Sequence, residues 1–382
     1  MQCPRCLNSD PEFFYKGSRG WYCRKCITFG RAMLQEEKEA ISLSPIQSGS
    51  EGYTLQYPLT SKQKEISFAC KQLIEESDVL LHCVCGAGKT ELVVETISAY
   101  LKKRKKVCFA IPRRQVVLEL RERLASYFPN AKVIAVCGGY TEILDGDLII
   151  CTTHQLYRYY QTFDLLILEE PDAYPFRGNP VLHGISETCC KGHTIYLTAT
   201  PDKTLLARIK KNTLQCLTLN VRPHGRALPV PKICIKTHLG MFYTLLTFLK
   251  NHQKEKTIVF VPTIQMANTL GKILGIFFVS FICTSKTVNR DEIIERYRRR
   301  KNGVMVATTV LERGVTIPGV HMCVYYAEHP VFDLSSLIQM AGRVGRSYES
   351  PYGEVLFLQN EKHQQTDECV RMLREANLEC DV

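Results

Sequence analysis

The chain has no apolar run long enough to cross a bilayer. Its longest, Ile273 to Cys283, falls well short of the roughly 20 residues a spanning helix needs and reads as a buried strand. No basic-then-apolar leader stands at the start, where a cysteine pair follows Met1 almost at once. The expectation is a cytoplasmic protein with reduced thiols, reaching the inner face of a membrane only through partners. Low-complexity tracts are missing too, and hydrophobic residues make up 45% of 382, which excludes a disordered chain. Acids are in deficit, 38 against 49 Lys and Arg, for a formal net charge of +11. That balance favours an acidic polymer as partner.

Eighteen cysteines are present. Most, such as Cys70, Cys108, Cys151, Cys234 and Cys323, stand singly in apolar segments and read as small buried hydrophobes. The dense set is N-terminal: Cys3 and Cys6, then sixteen residues, then Cys23 and Cys26. Two C-x₂-C knuckles at that spacing match a structural zinc site with all four positions filled. Around them lie Arg5, Lys16, Arg19, Arg24 and Lys25, with Trp21 and Tyr22 between. Cations interleaved with aromatics suit a single-stranded nucleic acid, and a ribbon that contacts only protein is the competing reading.

Composition shifts divide the chain. Residues 1–30 form the four-cysteine module, and 31–57 read as a charged helix, RAMLQEEKEA, followed by a Ser/Pro/Gly linker. Residues 58–219 alternate short apolar runs with helical patterns, and so do 237–382, with a Pro- and Gly-broken linker over 220–236. The runs VLLHCV, VCFAIP, KVIAVC, DLIICTT, DLLILEE and TIYLTAT, then TIVFVP, FFVSFIC, VMVATT, MCVYYAE and EVLFLQ, are apolar on both faces. Such runs are the mark of parallel strands covered on both sides. The fold class is therefore α/β, two tandem parallel-sheet domains behind a zinc ribbon or knuckle.

The loop CGAGKT follows a strand and opens a helix. Gly86, Ala87 and Gly88 would turn backbone N–H groups toward a phosphate, Lys89 would neutralise it, and the Thr90 hydroxyl would face Mg²⁺. Cys83 stands where the full pattern has its first glycine. The strand FDLLILEE ends in Glu169 and Glu170. Paired carboxylates there suit a cation and an attacking water, against the plainer reading of a strand end that reaches solvent. LTAT over 197–200 is weak by itself. QMAGRVGRS over 339–347 sets Arg343 and Arg346 three residues apart beside Gly342 and Gly345, on what reads as one helix face suited to a γ-phosphate. The basic runs KKRKK (102–106) and RYRRRK (296–301) read first as solvated helix ends.

In this order the motifs resemble those of superfamily 2 helicases, and more narrowly the ComFA-like late competence proteins. The likeness rests on the four cysteines, HCVCGAGKTE, TTHQLYRYY, FDLLILEEPDAYPF, YLTATP and SLIQMAGRVGRS. It implies two RecA-like domains, ATP with Mg²⁺, structural Zn²⁺, and single-stranded DNA as the polymer moved. It assigns adenine reading to Gln63, metal binding to Thr90 and Glu169, and catalysis to Lys89, Glu169, Glu170, Gln339, Arg343 and Arg346. Coupling falls to Thr198 and Thr200, and DNA contact to Arg113, Thr152, Thr153, His154 and Thr308. A competence membrane channel, a ComFC-like protein and further copies of the chain are the implied partners.

Glu169 departs from the family's Asp at that place, and Pro171 follows the acids in place of a small aliphatic residue. The longer side chain moves the carboxylate toward the metal shell. Two other readings compete. One is a PriA-like replication-restart helicase, disfavoured because the cysteines precede the motor. The other is a zinc-ribbon nucleic-acid-binding protein with weakened ATPase. An RNA helicase is disfavoured by EEPD in place of DEAD.

Overall fold

A computed structural model describes residues 1–35, 41, 43–45, 52–311, 317–347 and 349–378. It divides into two compact units, one of Met1–Cys83 with Gly88–Leu219 and the other of Val84–Ala87 with Asn220–Val382.

The first unit opens with a three-stranded antiparallel ribbon, β1 (Phe14–Gly17), β2 (Gly20–Cys23) and β3 (Ala32–Met33). The helix expected over RAMLQEEKEA is corrected at its start. Ala32 and Met33 are buried and pair with Cys23 and Tyr22, because two apolar residues beside a hairpin complete its sheet before a helix can begin. The rest of that stretch, from residue 36, lies outside the described residues.

The main sheet of this unit has seven parallel strands: β4 (Val79–Cys83), β5 (Val107–Ile111), β6 (Val133–Val136), β7 (Leu148–Thr152), β8 (Phe163–Glu169), β9 (Cys190–Thr198) and β10 (Gln215–Leu219). Their order is β10-β4-β9-β8-β5-β7-β6. β5 and β7 are buried at every position, as apolar runs without alternation require. Helices α1 (Ser61–Leu73), α2 (Lys89–Lys102), α3 (Arg114–Tyr127), α4 (Pro180–Cys189) and α5 (Lys203–Lys210) connect them. Asn179 caps α4, accepting from the N–H groups of Val181 and Leu182, and Pro180 takes the first helical position.

The second unit has six parallel strands, β11 (Lys232–Ile235), β12 (Lys256–Phe260), β13 (Ser280–Cys283), β14 (Gly303–Ala307), β15 (Val320–Tyr325) and β16 (Val355–Gln359). Their order is β11-β16-β15-β12-β14-β13. Its helices are α6 (His238–Asn251), α7 (Ile264–Leu274), α8 (Arg290–Arg298), α9 (Leu334–Ala341) and α10 (Gln364–Leu378). One apolar layer forms around Phe260, Met305, Phe332 and Phe357, and another around Leu245, Leu270, Val306 and Leu358.

Two expectations are corrected here. The run Ile273–Cys283 is not one buried strand. It holds the end of α7, a turn and the short edge strand β13, with Ile276, Phe277 and Val279 exposed. The run KKRKK is not wholly a solvated end, since Lys106 is 9% exposed and donates to Asp145 Oδ1 at 3.1 Å and to Gly146 O at 2.9 Å. A buried cation persists only where acceptors surround it. Among the described residues no helix is long and apolar enough to cross a membrane.

Candidate functional site

β4 runs directly into the glycine-containing loop. Gly86 (φ +84°) and Gly88 (φ +81°) hold left-handed conformations that a Cβ would strain. α2 starts at Lys89 with Gly88 as its N-cap, so the loop amides and the helix N-terminus serve one place. A Cβ on Gly88 would lie 2.7 Å from Gln63 Nε2. Gln63 is held there by a capping box. Its Oε1 accepts the Thr60 N–H at 2.9 Å, while Thr60 Oγ1 accepts the Gln63 N–H at 3.3 Å. Its amide nitrogen is thus turned to the loop. Lys89 Nζ donates to Cys83 O at 3.2 Å.

Thr90 Oγ1 accepts from Arg123 Nη2 at 3.0 Å, which sets a guanidinium against the oxygen expected to face Mg²⁺ and leaves one lone pair of that oxygen for the ion. Arg123 also pairs with Glu91 at 3.6 Å. No motif marks Arg123, a cation well inside α3, and only the fold brings it to the first turn of α2.

β8 delivers the acids. Glu169 ends the strand, and Glu170 takes φ +53°, unusual for a residue with a side chain. The Glu170 N–H donates to Leu197 O on β9 at 2.8 Å, which fixes this turn. Asp172, 3% exposed, accepts from Thr198 Oγ1 and, at 2.8 Å, from Thr200 Oγ1. Thr198 Oγ1 in turn accepts the Thr200 N–H at 2.9 Å. The acid loop and LTAT therefore form one network because β8 and β9 are neighbours. Sequence reasoning passed over Asp172. The signal was there, an acid three residues after Glu169 and two hydroxyls at alternate positions of one strand.

Strand order spreads these groups along one edge of the sheet. The phosphate loop follows β4, the hydroxyls β9, the acids β8, Arg113 β5, and Thr152–His154 β7. All leave the carboxyl ends of parallel strands, where ligands of open α/β sheets bind. Four strand spacings, roughly 19 Å, separate the phosphate loop from the β7 end. Arg113 precedes α3 as its N-cap residue. Thr152 and Thr153 are buried, whereas His154 is exposed on a short 3-10 turn, Thr153–Arg158. Desolvation holds the His154 imidazole below its ordinary pKa, so the ring is neutral at pH 7.

In the second unit Gln339 lies on α9, but the two arginines do not. α9 ends at Ala341, and Arg343 and Arg346 occupy the turn beyond it. The single helix face expected for them is thereby corrected. Past Ala341 the N–H groups of Arg343 and Val344 bond only three residues back, to Met340 O and Ala341 O, and Gly345, at φ +63° with a Cβ that would sit 2.5 Å from Pro351 O, then turns the chain away before Arg346. Arg222 fixes the turn, donating from Nη1 to Val344 O (2.8 Å) and Gly345 O (2.9 Å) and from Nη2 to Gly342 O (2.8 Å). His224 Nε2 lies 3.0 Å from Gly345 O. Arg343 is buried and Arg346 exposed. Thr308, 9% exposed, follows β14 and donates its N–H to Cys283 O at 3.3 Å. Residues 312–316 of the neighbouring motif lie outside the described residues.

The four N-terminal cysteines converge, with Cys3 Sγ 3.8 Å from Cys26 Sγ and Cys6 Sγ 3.8 Å from Cys23 Sγ. That is nearly twice a disulfide length and is the edge of a tetrahedron with Zn–S bonds of about 2.3 Å. Hydrogen bonding from Cys26 holds the Cys3 thiol well below its usual range, and the same bond pushes Cys26 up. Four sulfurs this close favour thiolates only around a cation, so the donor set fits zinc. Mg²⁺ prefers oxygen, and Thr90 with Glu169 and Glu170 supplies oxygens of that kind.

His252, Glu255 and His321 form a second cluster. His321 Nδ1 accepts the Glu354 N–H at 3.1 Å, so its Nε2 carries the proton and donates to Glu255 Oε2 at 2.8 Å. A nitrogen so protonated is no metal ligand, and the cluster is a hydrogen-bonded pair beside a buried neutral His252.

Comparisons with known proteins agree with this arrangement. Residues 56–203 match the family model described as type III restriction enzyme, res subunit, and 239–348 match the helicase conserved C-terminal domain. Competence protein ComFA of Streptococcus pneumoniae is 31% identical over 99% of this chain and 90% of its own. Its counterpart in Bacillus subtilis is 29% identical over 98% and 85%. Among solved structures, Dbp5 of S. cerevisiae bound to RNA and ADP BeF3 superposes with a TM-score of 0.60 at 17% identity, covering 83% of this chain and 91% of that one. The two parallel-sheet domains are thus RecA-like helicase domains.

Proposed function

The chain belongs to the ComFA family of competence proteins, and from that premise we propose that it is an ATP-driven motor that moves along single-stranded DNA during DNA uptake. The observation that carries the reading is the gathering of phosphate loop, acids and coupled hydroxyls on adjacent strands, with the β7 end set apart on the same edge. Gln63 reads the base, the loop amides and Lys89 hold the phosphates, and Glu170 orients the attacking water. When bound through Thr90 and Glu169, Mg²⁺ supplies charge neutralisation on the phosphates. Arg343 and Arg346 add cationic stabilisation to the transferring phosphoryl group, and Gln339 a neutral amide. Hydroxyls bonded to Asp172 carry the state of the acid loop into β9. Arg113, His154 and Thr308, with the backbone around Thr152 and Thr153, meet the DNA. A membrane channel and a ComFC-like protein are the partners this role calls for.

ATP hydrolysis by the full chain with single-stranded DNA, duplex DNA and RNA tests the reading. Single strands of DNA should stimulate most, and Lys89→Ala should lower turnover by about 100-fold or more. Turnover indifferent to nucleic acid would sink the motor, and stimulation by RNA alone would change its track.

A further inference from the structure

The zinc ribbon is built into the first unit. Gly184 on α4 has no room for a side chain, since a Cβ there would lie 2.1 Å from Cys6 O. Four residues on, Thr188 Oγ1 donates to Arg5 O at 2.8 Å. Val181 of the same helix packs on the cysteine cluster. From the ribbon side, the Phe29 ring stands 5.0 Å from Tyr157 and 6.2 Å from His154. The Arg5 guanidinium lies 6.0 Å from the Tyr157 ring and bonds Gly30 O at 2.8 Å. The ribbon thus abuts the 3-10 turn that follows β7, the segment set toward DNA.

A second aromatic group stands on the hairpin of the ribbon. Tyr15 and Tyr22 are cross-strand partners, so their rings share a side of the hairpin, centroids 5.7 Å apart and set edge to face at 67°, each with its own ring face to offer. Arg24 lies 5.7 Å from the Tyr15 ring and Arg31 5.1 Å from that of Tyr22. Arg31 is two residues from Phe29, within about 7 Å along the chain. Tyr15 is 52% exposed. Residues 1–35 hold six Lys and Arg against two acids. An aromatic pair flanked by guanidinium groups is a stacking platform for unpaired bases, with cations placed for the phosphates between them.

We propose that this side of the hairpin extends the DNA track of the first unit, single-stranded DNA running from the His154 turn across Phe29 onto Tyr15 and Tyr22, and that the Gly184 contact holds the platform in line. Zinc then acts on DNA grip by keeping the ribbon in shape. The inference rests on the single-strand reading above.

Binding of short and long labelled oligothymidylates by the full chain tests it. Tyr15→Ala, an exposed change, should weaken the long oligomers about tenfold, as loss of one stacked base does, and leave the shortest unaffected. Gly184→Val should do the same, because its side chain would strike the Cys6 backbone and displace the ribbon from α4. Equal binding of all lengths by both variants and the parent overturns the extended track. If the parent itself binds no single strand, the motor reading fails first. If Gly184→Val does not fold, Tyr15→Ala still decides.

Discussion

The two units hold their chemistry in place by different means. In the first, side chains grip side chains or specific amides: Asp172 takes two hydroxyls, and Gln63 closes a capping box. In the second, one side chain grips backbone: Arg222 gathers three carbonyls of the turn that carries Arg343 and Arg346. A network of side chains has several members that can exchange partners. A backbone turn on which one guanidinium makes three bonds, with His224 adding one at Gly345 O, depends chiefly on a single side chain.

The comparison is broken most severely at Arg222. Arg222→Ala should lower the stability of the full chain by about 3 kcal/mol or more, since several buried carbonyls lose charged donors together, and the first transition in urea should move accordingly. Arg222→Lys should rescue little, because an ammonium cannot reproduce the fork. A lysine variant as stable as the parent would show that charge alone holds the turn.

A smaller effect belongs to Asp172. Asp172→Ala leaves two hydroxyls short of an acceptor and should cost about 1–3 kcal/mol. DNA-stimulated turnover should fall about tenfold, and KM for ATP should stay near the parent's. A rise in KM without loss of stimulation would place Asp172 in nucleotide binding, and the network of the first unit would then be a pocket and not a relay.

The smallest effect concerns pH. Burial, with His321 adding to it, lowers the His252 pKa in the second unit, and desolvation lowers that of His154 in the first. Unfolded histidine titrates near 6.5. Below that value the unfolded chain binds more protons than the folded one, so this stability is present above about pH 6.5 and is lost as pH falls. His252→Phe should flatten the decline in melting temperature between about pH 7 and 5.5 but not remove it, because His154 and His224 are lowered as well. An unchanged slope would assign the acid sensitivity to other groups.

What could be read from the sequence follows the range of the interactions. Both sheets were legible because strands covered on both faces show as unbroken apolar runs. The paired cysteines and the strand–loop–helix around CGAGKT are local patterns, so the convergence of the four sulfurs and the place of the loop between β4 and α2 could both be read from the sequence. Arg123, Arg222 and Asp172 act on residues that are distant in the chain or on another strand, so no window of sequence contains both ends of their bonds. The end of α9 is hidden in the sequence because the helical spacing of Arg343 and Arg346 continues past Ala341, while the backbone tightens there and turns away at Gly345, where only glycine fits beside Pro351. The apolar stretch before β13 misled for the opposite reason, since hydrophobicity says nothing about being at an edge.

Arg222 lies only two residues into the segment that joins the units, a stretch whose prolines and glycines suggest a slack tether. Its first residues are instead anchored to the arginine turn. The start of this segment is therefore part of the second unit's own packed structure, a rivet where its composition suggests a string.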